Sequence, residues 1–210
     1  MVIEHTEIWT TFAQRYDLTD EQIVQFQKYY TLLVKWNKRF NLTALTDEKD
    51  VVHYHFADSL ELGRIMNLQH VQALADVGTG GGIPGLPLKI AFPHLQIVLI
   101  EVIQKKASFL QHVCEELGLD KVTVVTDDWR TFLRNSNHNV QLVCARASLA
   151  PKELLRMFKP SSPYKNAELV YWASDQWELG VSEKKFYQDE FPYQVGTKKR
   201  KYIFFAHEEN

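Results

Sequence analysis

The spacing of apolar residues divides the chain into two parts. Over the first 70 residues they recur every three or four positions, the spacing of amphipathic helices. One helix follows the capping-box sequence at 19–22 and is predicted to end near Trp36, before a polar turn over 37–43. Another begins at Thr46. No strand is predicted here, so we expect residues 1–70 to be a helical extension packed on residues 71–210.

From Ala73 onward, short apolar runs alternate with helical patterns. After the strand at 73, the predicted strands cover 95–101, 122–126, 140–145, 169–172, 193–195 and 202–205, and the predicted helices cover 105–117 and 149–158. This alternation predicts an α/β fold with a doubly wound, mostly parallel seven-stranded sheet and right-handed crossovers. The last two strands are predicted to form an antiparallel hairpin joined through the basic run 198–201. Such a Rossmann-like sheet is typical of methyltransferases that use S-adenosylmethionine (SAM).

Composition narrows the class of protein. The chain is 45% hydrophobic and 12% aromatic, which favours a globular protein over a disordered one. Lys and Arg number 24 against 26 Asp and Glu, so the net charge of -2 gives no overall field that would attract nucleic acid. A polyanion would have to bind local basic patches, and for any one patch solvated surface is the simpler interpretation. The patches lie at 35–39, 105–106, 184–185 and 198–201.

Several classes of site and location are disfavoured. The two cysteines, Cys114 and Cys144, form no CxxC pair and have no metal-ligand spacing with histidine, so no disulfide or metal site is predicted. The first residues lack the pattern of a signal peptide, and no apolar run approaches the length of a membrane span. We expect a soluble, cytoplasmic protein without membrane association, acting as a monomer.

A glycine-dense turn follows the first predicted strand. Five glycines lie within residues 78–85, where backbone at positive φ can let a ligand approach closely. Gly80-x-Gly82-x-x-Gly85 formally matches the dinucleotide fingerprint, which alone is a weak signal. Asp76 precedes the glycines and would repel a pyrophosphate, whereas it suits the ammonium and sulfonium of SAM. A plain tight turn is the alternative.

Two further strand ends carry candidate cofactor residues. Glu101 ends the second predicted strand, about 20 residues beyond the glycines, where a carboxylate can bind both hydroxyls of a ribose. The alternative is an ordinary carboxylate at a strand end. After the third strand, Asp128 is placed to meet the adenine edge and Trp129 to flank its ring. Packing of Trp129 in the core or on the surface is an equally good interpretation.

The fourth strand ends in Arg146, at the edge where such folds place reacting groups. Its planar charged fork suits a phosphate or a guanine edge, and a salt bridge at the strand end is the alternative. The tetrapeptide that steadies an exocyclic amine in amino-nitrogen methyltransferases is missing, which disfavours adenine N6 as the target. Cys144 has no evident activating base, so a role as nucleophile is disfavoured.

These residues resemble the ribosomal RNA small subunit methyltransferase G (GidB) family along nearly the whole chain. The matching segments are WNKRFNLT at 36–43, HFADSL at 55–60, DVGTGGGIPG at 76–85, Arg146-Ala147 and Arg200. The glycine segment is the most specific match. The resemblance implies SAM-dependent methylation of a guanine N7 (guanine-527) in 16S rRNA of the small ribosomal subunit.

The site expected on these grounds has three groups of residues. The catalytic residue is Arg146. The expected cofactor-binding residues are Asp76, Gly78, Thr79, Gly80, Gly82, Pro84, Glu101, Asp128, Trp129 and Arg146. The expected RNA-binding residues are Lys38, Arg39, His55, Lys198, Lys199, Arg200 and Lys201.

The chain departs from the family pattern at three places on the expected RNA side. Tyr54 stands where the family usually has arginine, Arg130 lies in a segment that usually reads Arg-Ala-Glu-Glu, and Ser174 lies where a lysine is usual. A divergent form of the same enzyme is the favoured interpretation. The alternatives are a relative acting on another RNA or a small molecule, and a non-catalytic RNA-binding relative.

Overall fold

The computed structural model describes residues 7–207, and the helical part comes first. It contains α1 (Glu7–Tyr16), α2 (Asp20–Phe40), α3 (Glu48–Val51), a π-helical segment (Val52–Ala57), α4 (Asp58–Leu60), α5 (Leu62–Ile65) and a 3-10 turn (Leu68–His70). The capping box predicted at the start of α2 is present, with the Thr19 hydroxyl accepting from the Gln22 amide. No strand occurs between residues 7 and 72, as predicted.

Three details of the helical part differ from the sequence prediction. Helix α1 was not predicted, although its buried Trp9 and Phe12 lie at helical spacing. Helix α2 runs past Trp36 to Phe40 and ends where Asn41 takes the left-handed conformation, so half of the predicted turn is helical. The helix predicted from Thr46 is instead α3, the π-helical segment and α4 in succession.

The second part is a seven-stranded sheet in the order β3-β2-β1-β4-β5-β7-β6. Its strands are β1 (Ala73–Val77), β2 (Gln96–Ile100), β3 (Val122–Val125), β4 (Leu142–Arg146), β5 (Glu168–Ser174), β6 (Tyr187–Val195) and β7 (Lys198–Phe205). The first five pair in parallel, whereas β7 is antiparallel to both β5 and β6. The doubly wound sheet and its antiparallel closure are as predicted.

The hairpin itself corrects one prediction. The basic run 198–201 is the start of β7 and not the connection, which is made by Gly196 and Thr197. Gly196 takes a φ of +56°, the conformation that two-residue hairpin turns require. Strand β6 also begins at Tyr187, six residues before the predicted strand, because its mostly exposed side chains carry little apolar signal.

Helices cover both faces of the sheet. Helices α6 (Gly85–Ala91) and α7 (Gln104–Leu117) lie on one face, and α2 packs against both of them. Helices α8 (Trp129–Asn135) and α9 (Pro151–Leu154), with a 3-10 turn (Leu155–Phe158), lie on the other face. The helix predicted over 149–158 is therefore shorter and partly 3-10, and α8 was not predicted.

The described part of the chain offers neither a membrane-spanning helix nor a cluster of metal ligands. No helix within residues 7–207 is long and apolar enough to cross a membrane. Within the same residues, no group of three or more His, Cys, Asp or Glu side chains is arranged to hold a metal ion.

Candidate active site at the carboxyl edge of the sheet

The glycine turn lies where β1 ends, at the edge that the parallel strands share. The amides of Gly78 and Thr79 both donate to the carbonyl of Ile100 at the end of β2, at 2.9 and 3.2 Å. From the helical part, the hydroxyl of Tyr29 on α2 donates to the carbonyl of Gly81. The turn is thus fixed to its neighbouring strand and to the extension.

The Asp76 carboxylate is hydrogen-bonded to the glycine turn at two positions. One carboxylate oxygen, Oδ2, accepts from the Thr79 hydroxyl at 2.6 Å and from the Gly85 amide at 2.8 Å. The side chain is fully buried, and this burial raises the pKa of Asp76 to about 6 despite those two donors. The position of Asp76 therefore shapes the glycine turn, and its other oxygen, Oδ1, has no hydrogen-bond partner within residues 7–207.

The glycines divide into two kinds. A β-carbon added at Gly78, Gly82 or Gly85 would lie within 3.0 Å of a neighbouring side chain, so these glycines are needed for packing. A β-carbon on Gly80 would meet nothing closer than a backbone oxygen 4.0 Å away. Gly80 has a φ of +59° and is half-buried, so the space above it is open to a ligand.

Glu101 lies next to that space. Its two carboxylate oxygens accept from the backbone amides of Gly80, at 3.0 Å, and Ile103, at 2.8 Å. These bonds fix the carboxylate and leave further lone pairs for hydroxyl donors. Val102 and Ile103 follow and are large apolar side chains exposed to solvent, at 58% and 47%. Sequence reasoning missed both, although two apolar residues directly after a strand end were a visible signal.

These features fit SAM. Glu101 is preorganised for ribose hydroxyls, exposed apolar side chains stand beside it for a base, and Gly80 leaves room for close approach. Two buried oxygens near the glycine turn, Asp76 Oδ1 and Ser148 Oγ, also lack partners in the described chain. Such groups are costly to leave unpaired, which favours a polar ligand or water beside them.

The segment after β3 is engaged within the protein. Asp128 caps α8, accepting from the amides of Arg130 and Thr131 at 2.8 and 3.0 Å, and these bonds lower the pKa of its carboxyl group. Trp129 is buried, and its indole nitrogen donates to the carbonyl of Glu153 at 3.1 Å. Of the two interpretations left open for Trp129, the structure places it in the core.

A second group of side chains surrounds Asp58, at the start of α4. Its carboxylate is fully buried and accepts from Arg146 Nε on β4 at 2.8 Å and from the Tyr193 hydroxyl on β6 at 2.8 Å. Its carbonyl accepts from Trp172 and Tyr202. We call Asp58, His55, Arg146, Tyr193 and Arg200 the Asp58 cluster. It joins the helical extension to three strands.

The chain matches the family described as rRNA small subunit methyltransferase G (GidB) over residues 22–200. A ribosomal RNA small subunit methyltransferase G from Listeria monocytogenes is 37% identical over 171 residues, covering 80% of this chain and 72% of the relative. Its counterpart from Leuconostoc citreum is 54% identical over 110 residues, covering 51% and 46%. The chain belongs to the GidB family.

Solved structures agree on the fold. A SAM-dependent methyltransferase from Aquifex aeolicus superposes with a TM-score of 0.57 at 16% identity, covering 79% of this chain and 97% of that one. A mutant of MtNAS in complex with S-adenosylmethionine gives 0.55 at 16% identity, covering 95% and 84%. The predicted family, fold class and enzymatic class, a SAM-dependent methyltransferase, are confirmed.

In this GidB chain, the two arginines of the Asp58 cluster are held differently. Two nitrogens of the Arg146 guanidinium donate to the Asp58 carboxylate and to the Tyr54 carbonyl, and the third lies 3.4 Å from His55 Nδ1, which is itself 3.1 Å from the Tyr54 carbonyl. Arg146 thus takes the salt bridge that the sequence left as the alternative. Arg200 lies 3.3 Å from Asp58 through Nε, but that nitrogen makes no well-aligned hydrogen bond. Its remaining nitrogens make no hydrogen bond to any described residue.

His55 is nearly buried in the same cluster. Its Nε2 is 2.7 Å from the Thr43 hydroxyl, in the segment that matched the GidB family. Burial, followed by the charge of Arg146, lowers the pKa of His55 to about 3. The imidazole is therefore neutral at physiological pH and lies beside Arg146 without a charge of its own.

The remaining predicted RNA-binding residues are only partly brought together. Along β7, Lys198 faces Tyr54, with its Nζ 4.1 Å from the ring centroid, whereas Lys201 pairs with Glu190 on β6 at 3.1 Å. Lys199 is exposed. Lys38 and Arg39 lie in the last turn of α2 and are at least partly exposed. That turn adjoins the start of α7, because Lys105 lies over the ring of Phe40 at 5.8 Å.

The three departures from the family pattern have local structural settings. Tyr54 packs on the hairpin turn, and its hydroxyl is 3.2 Å from that of Thr197. Arg130 pairs with Glu153 at 2.9 Å. Ser174 ends β5 directly opposite Arg200 on β7. Tyr54 and Ser174 therefore border the Asp58 cluster, and Arg130 lies on the far face of the sheet.

Proposed function

We propose that this chain transfers the methyl group of SAM to N7 of a guanine in 16S rRNA, acting as a monomer on the small ribosomal subunit in the cytoplasm. The position 527 expected from the family is part of this proposal. The main support for this proposal is that two candidate sites lie at the same edge of the sheet. The turn at Gly80 and Glu101 suits the cofactor. Across β4 and β5 from it, Arg200 lies 3.3 Å from Asp58 through Nε and has two further nitrogens for a ligand.

The chemistry requires little of the protein beyond positioning. SAM supplies an electrophilic methyl group when bound. Guanine N7 carries a lone pair and no proton, so no general base is needed. The Asp58 cluster is consistent with a reaction that needs no general base. His55 is neutral, and His55, Asp58 and Arg146 all contact each other or neighbouring groups. Catalysis then rests on holding N7 in line with the methyl group.

We assign the two arginines different roles in this mechanism. Arg200 binds the guanine edge or a phosphate, since a guanidinium forms paired hydrogen bonds with guanine O6 and N7 or with phosphate oxygens. When N7 must be free to react, the phosphate and O6 are the available acceptors. Arg146 is a positioning residue that, through Asp58, sets the distance between the extension and β4. The sequence-based prediction of Arg146 as the catalytic residue is the alternative to this assignment.

Replacing Glu101 with alanine is expected to weaken SAM binding by about 1–3 kcal/mol, the range for hydrogen bonds to a charged group. The variant loses the carboxylate for the ribose and leaves the amides of Gly80 and Ile103 without their acceptor. Isothermal calorimetry measures the affinity. Glu168→Ala is the matched control, since Glu168 is an exposed glutamate at the opposite end of a strand. Equal affinity in both variants would remove Glu101 from the cofactor site.

Replacing Arg200 with alanine is expected to slow methyl transfer at least about tenfold, which is roughly 1.4 kcal/mol of barrier. SAM affinity should stay unchanged, because Arg200 lies on β7, with β4 and β5 between it and the glycine turn. Single-turnover assays with labelled SAM give the rate. Lys121→Ala is the control, since it removes an exposed charge at the amino edge of the sheet, away from the candidate site. A full rate in Arg200→Ala would place the guanine elsewhere.

The proposal as a whole is tested with small-subunit rRNA that lacks the modification. The chain is incubated with this RNA and SAM, and the nucleosides are analysed by mass spectrometry for one N7-methylguanosine. SAM binding without RNA methylation would point to a small-molecule substrate or another RNA. RNA binding without SAM binding would point to the non-catalytic alternative.

A further inference from the structure

Two grooves lie on the face of the sheet covered by α8, α9 and the following 3-10 turn. Their volumes are about 460 and 410 Å³. Together they are lined by one carboxylate, that of Glu153, and by six cationic side chains. The six are Arg130, Arg134, Lys152, Arg156, Lys159 and Lys185. We call these six residues the α8–α9 basic face.

The positive charge of this face is concentrated and largely uncompensated. The whole chain carries a net charge of -2, so six cations with one anion stand out against the rest of the surface. Glu153 is shared by Arg130 and Arg156, which together lower the pKa of its carboxyl group to about 2. Arg134, Lys152 and Lys159 form no ion pair with any carboxylate in the described part of the chain.

The α8–α9 basic face runs from the carboxyl edge of the sheet towards its amino edge. Because α8 and α9 follow parallel strands, each begins at the carboxyl edge of the sheet and runs back along it. Arg130 and Lys152 lie in the first turns of α8 and α9. Arg134 lies in the last turn of α8, and Lys159 follows the 3-10 turn after α9. One end of the basic face therefore lies at the carboxyl edge of the sheet, where the candidate active site is.

We propose that the α8–α9 basic face is a second RNA-contact surface, which binds the phosphate backbone of the rRNA that flanks the target guanine. This rests on the proposed function, because it assumes an RNA held at the adjoining edge. Arginine, lysine and serine side chains are the usual partners of phosphate oxygens, and Ser161 and Ser162 line the smaller groove. The surface would add affinity without reading sequence. An acidic protein is the other class of partner that such a face could attract.

The test is the salt dependence of RNA binding by the full chain without SAM. The variant Arg134→Gln/Lys159→Gln removes two cations from the face. The control Lys49→Gln/Lys121→Gln removes two exposed lysines that likewise form no ion pair within residues 7–207, one in α3 and one at the amino edge of the sheet. Binding to 16S rRNA is titrated at low and high KCl concentrations, and thermal unfolding confirms that each variant is folded.

The face variant should bind roughly tenfold more weakly at physiological salt, and its slope of log affinity against log salt should be shallower by about 1.5. The control should keep the parental slope. Equal slopes in the two variants would overturn the second contact surface, including the case in which the face binds an acidic protein instead. The proposed function is read separately, by SAM calorimetry and N7-methylguanosine formation in the parent chain. If the proposed function is wrong, SAM binding or N7-methylguanosine formation will be missing in the parent chain, and this result does not depend on the salt slopes.

Discussion

Asp58→Ala is expected to lower the free energy of unfolding by about 3–5 kcal/mol, the cost of removing one partner from a buried ion pair. Asp58 is fully buried, and Arg146, whose side chain is only 12% exposed, forms no ion pair with any other carboxylate among residues 7–207. The Tyr193 hydroxyl also loses its acceptor, and burial next to Asp58 already raises the pKa of that phenol. Equilibrium unfolding in urea measures the loss.

Two control variants are needed in this experiment, one that keeps the shape of the Asp58 side chain and one that removes an exposed ion pair. Asp58→Asn keeps the size of the side chain and one acceptor, so it should cost less than Asp58→Ala. Glu190→Ala removes an exposed partner of Lys201 and should cost below about 1 kcal/mol, as surface pairs do. If Asp58→Ala lost no more than Glu190→Ala, the cluster would not hold the extension to the sheet. Methyl transfer should fall with stability in the alanine variant, because Arg200 loses its anchor.

Gly80→Val is expected to abolish measurable SAM binding. The added side chain would fill the open space above the turn, beside the carboxylate of Glu101. A valine at a φ of +59° is also strained, so the folded state itself should lose about 1–2 kcal/mol. Calorimetry with SAM and thermal unfolding are measured on the same sample, because only the first reports on the ligand.

Gly118→Val is the matched control for this variant. Gly118 has a φ of +63°, has no atom within 4 Å of an added β-carbon among the described residues, and ends α7 away from the turn. Both substitutions therefore carry the same backbone strain in open space. Gly118→Val should lose similar stability and keep SAM affinity. If both variants bound SAM equally well, the space above Gly80 would not be the cofactor site.

The sheet was predictable because its central strands are buried on both faces. Strands such as β2 are nearly continuous apolar runs, the pattern expected of a parallel strand covered by helices on either side. The edge strand β6 was underestimated because six of its nine residues are exposed, and a run of three polar residues, Gln188 to Glu190, interrupts its apolar pattern. The π-helical segment could not be inferred from spacing, since it shifts the register of an otherwise helical pattern by one residue.

The proposed cofactor side of the candidate site could be predicted from the sequence more completely than the proposed substrate side. Gly80 and Glu101 lie 21 residues apart in a local motif of strand, turn, helix and strand, so their neighbourhood follows from topology. The partners of Arg146 lie 88 to 92 residues away, on the π-helical segment and α4. No local pattern distinguishes an arginine held by a buried aspartate from one free to bind RNA.

The position of Asp58 also constrains which parts of this enzyme can be exchanged or mutated independently. The carboxylate that pairs with both arginines of the Asp58 cluster comes from the strand-free helical part, whereas the arginines come from β4 and β7. A graft of the sheet alone onto another amino-terminal domain would carry two arginines without their counter-ion. The extension and the sheet must therefore change together, and a new substrate face would require a new balance of charge across their junction.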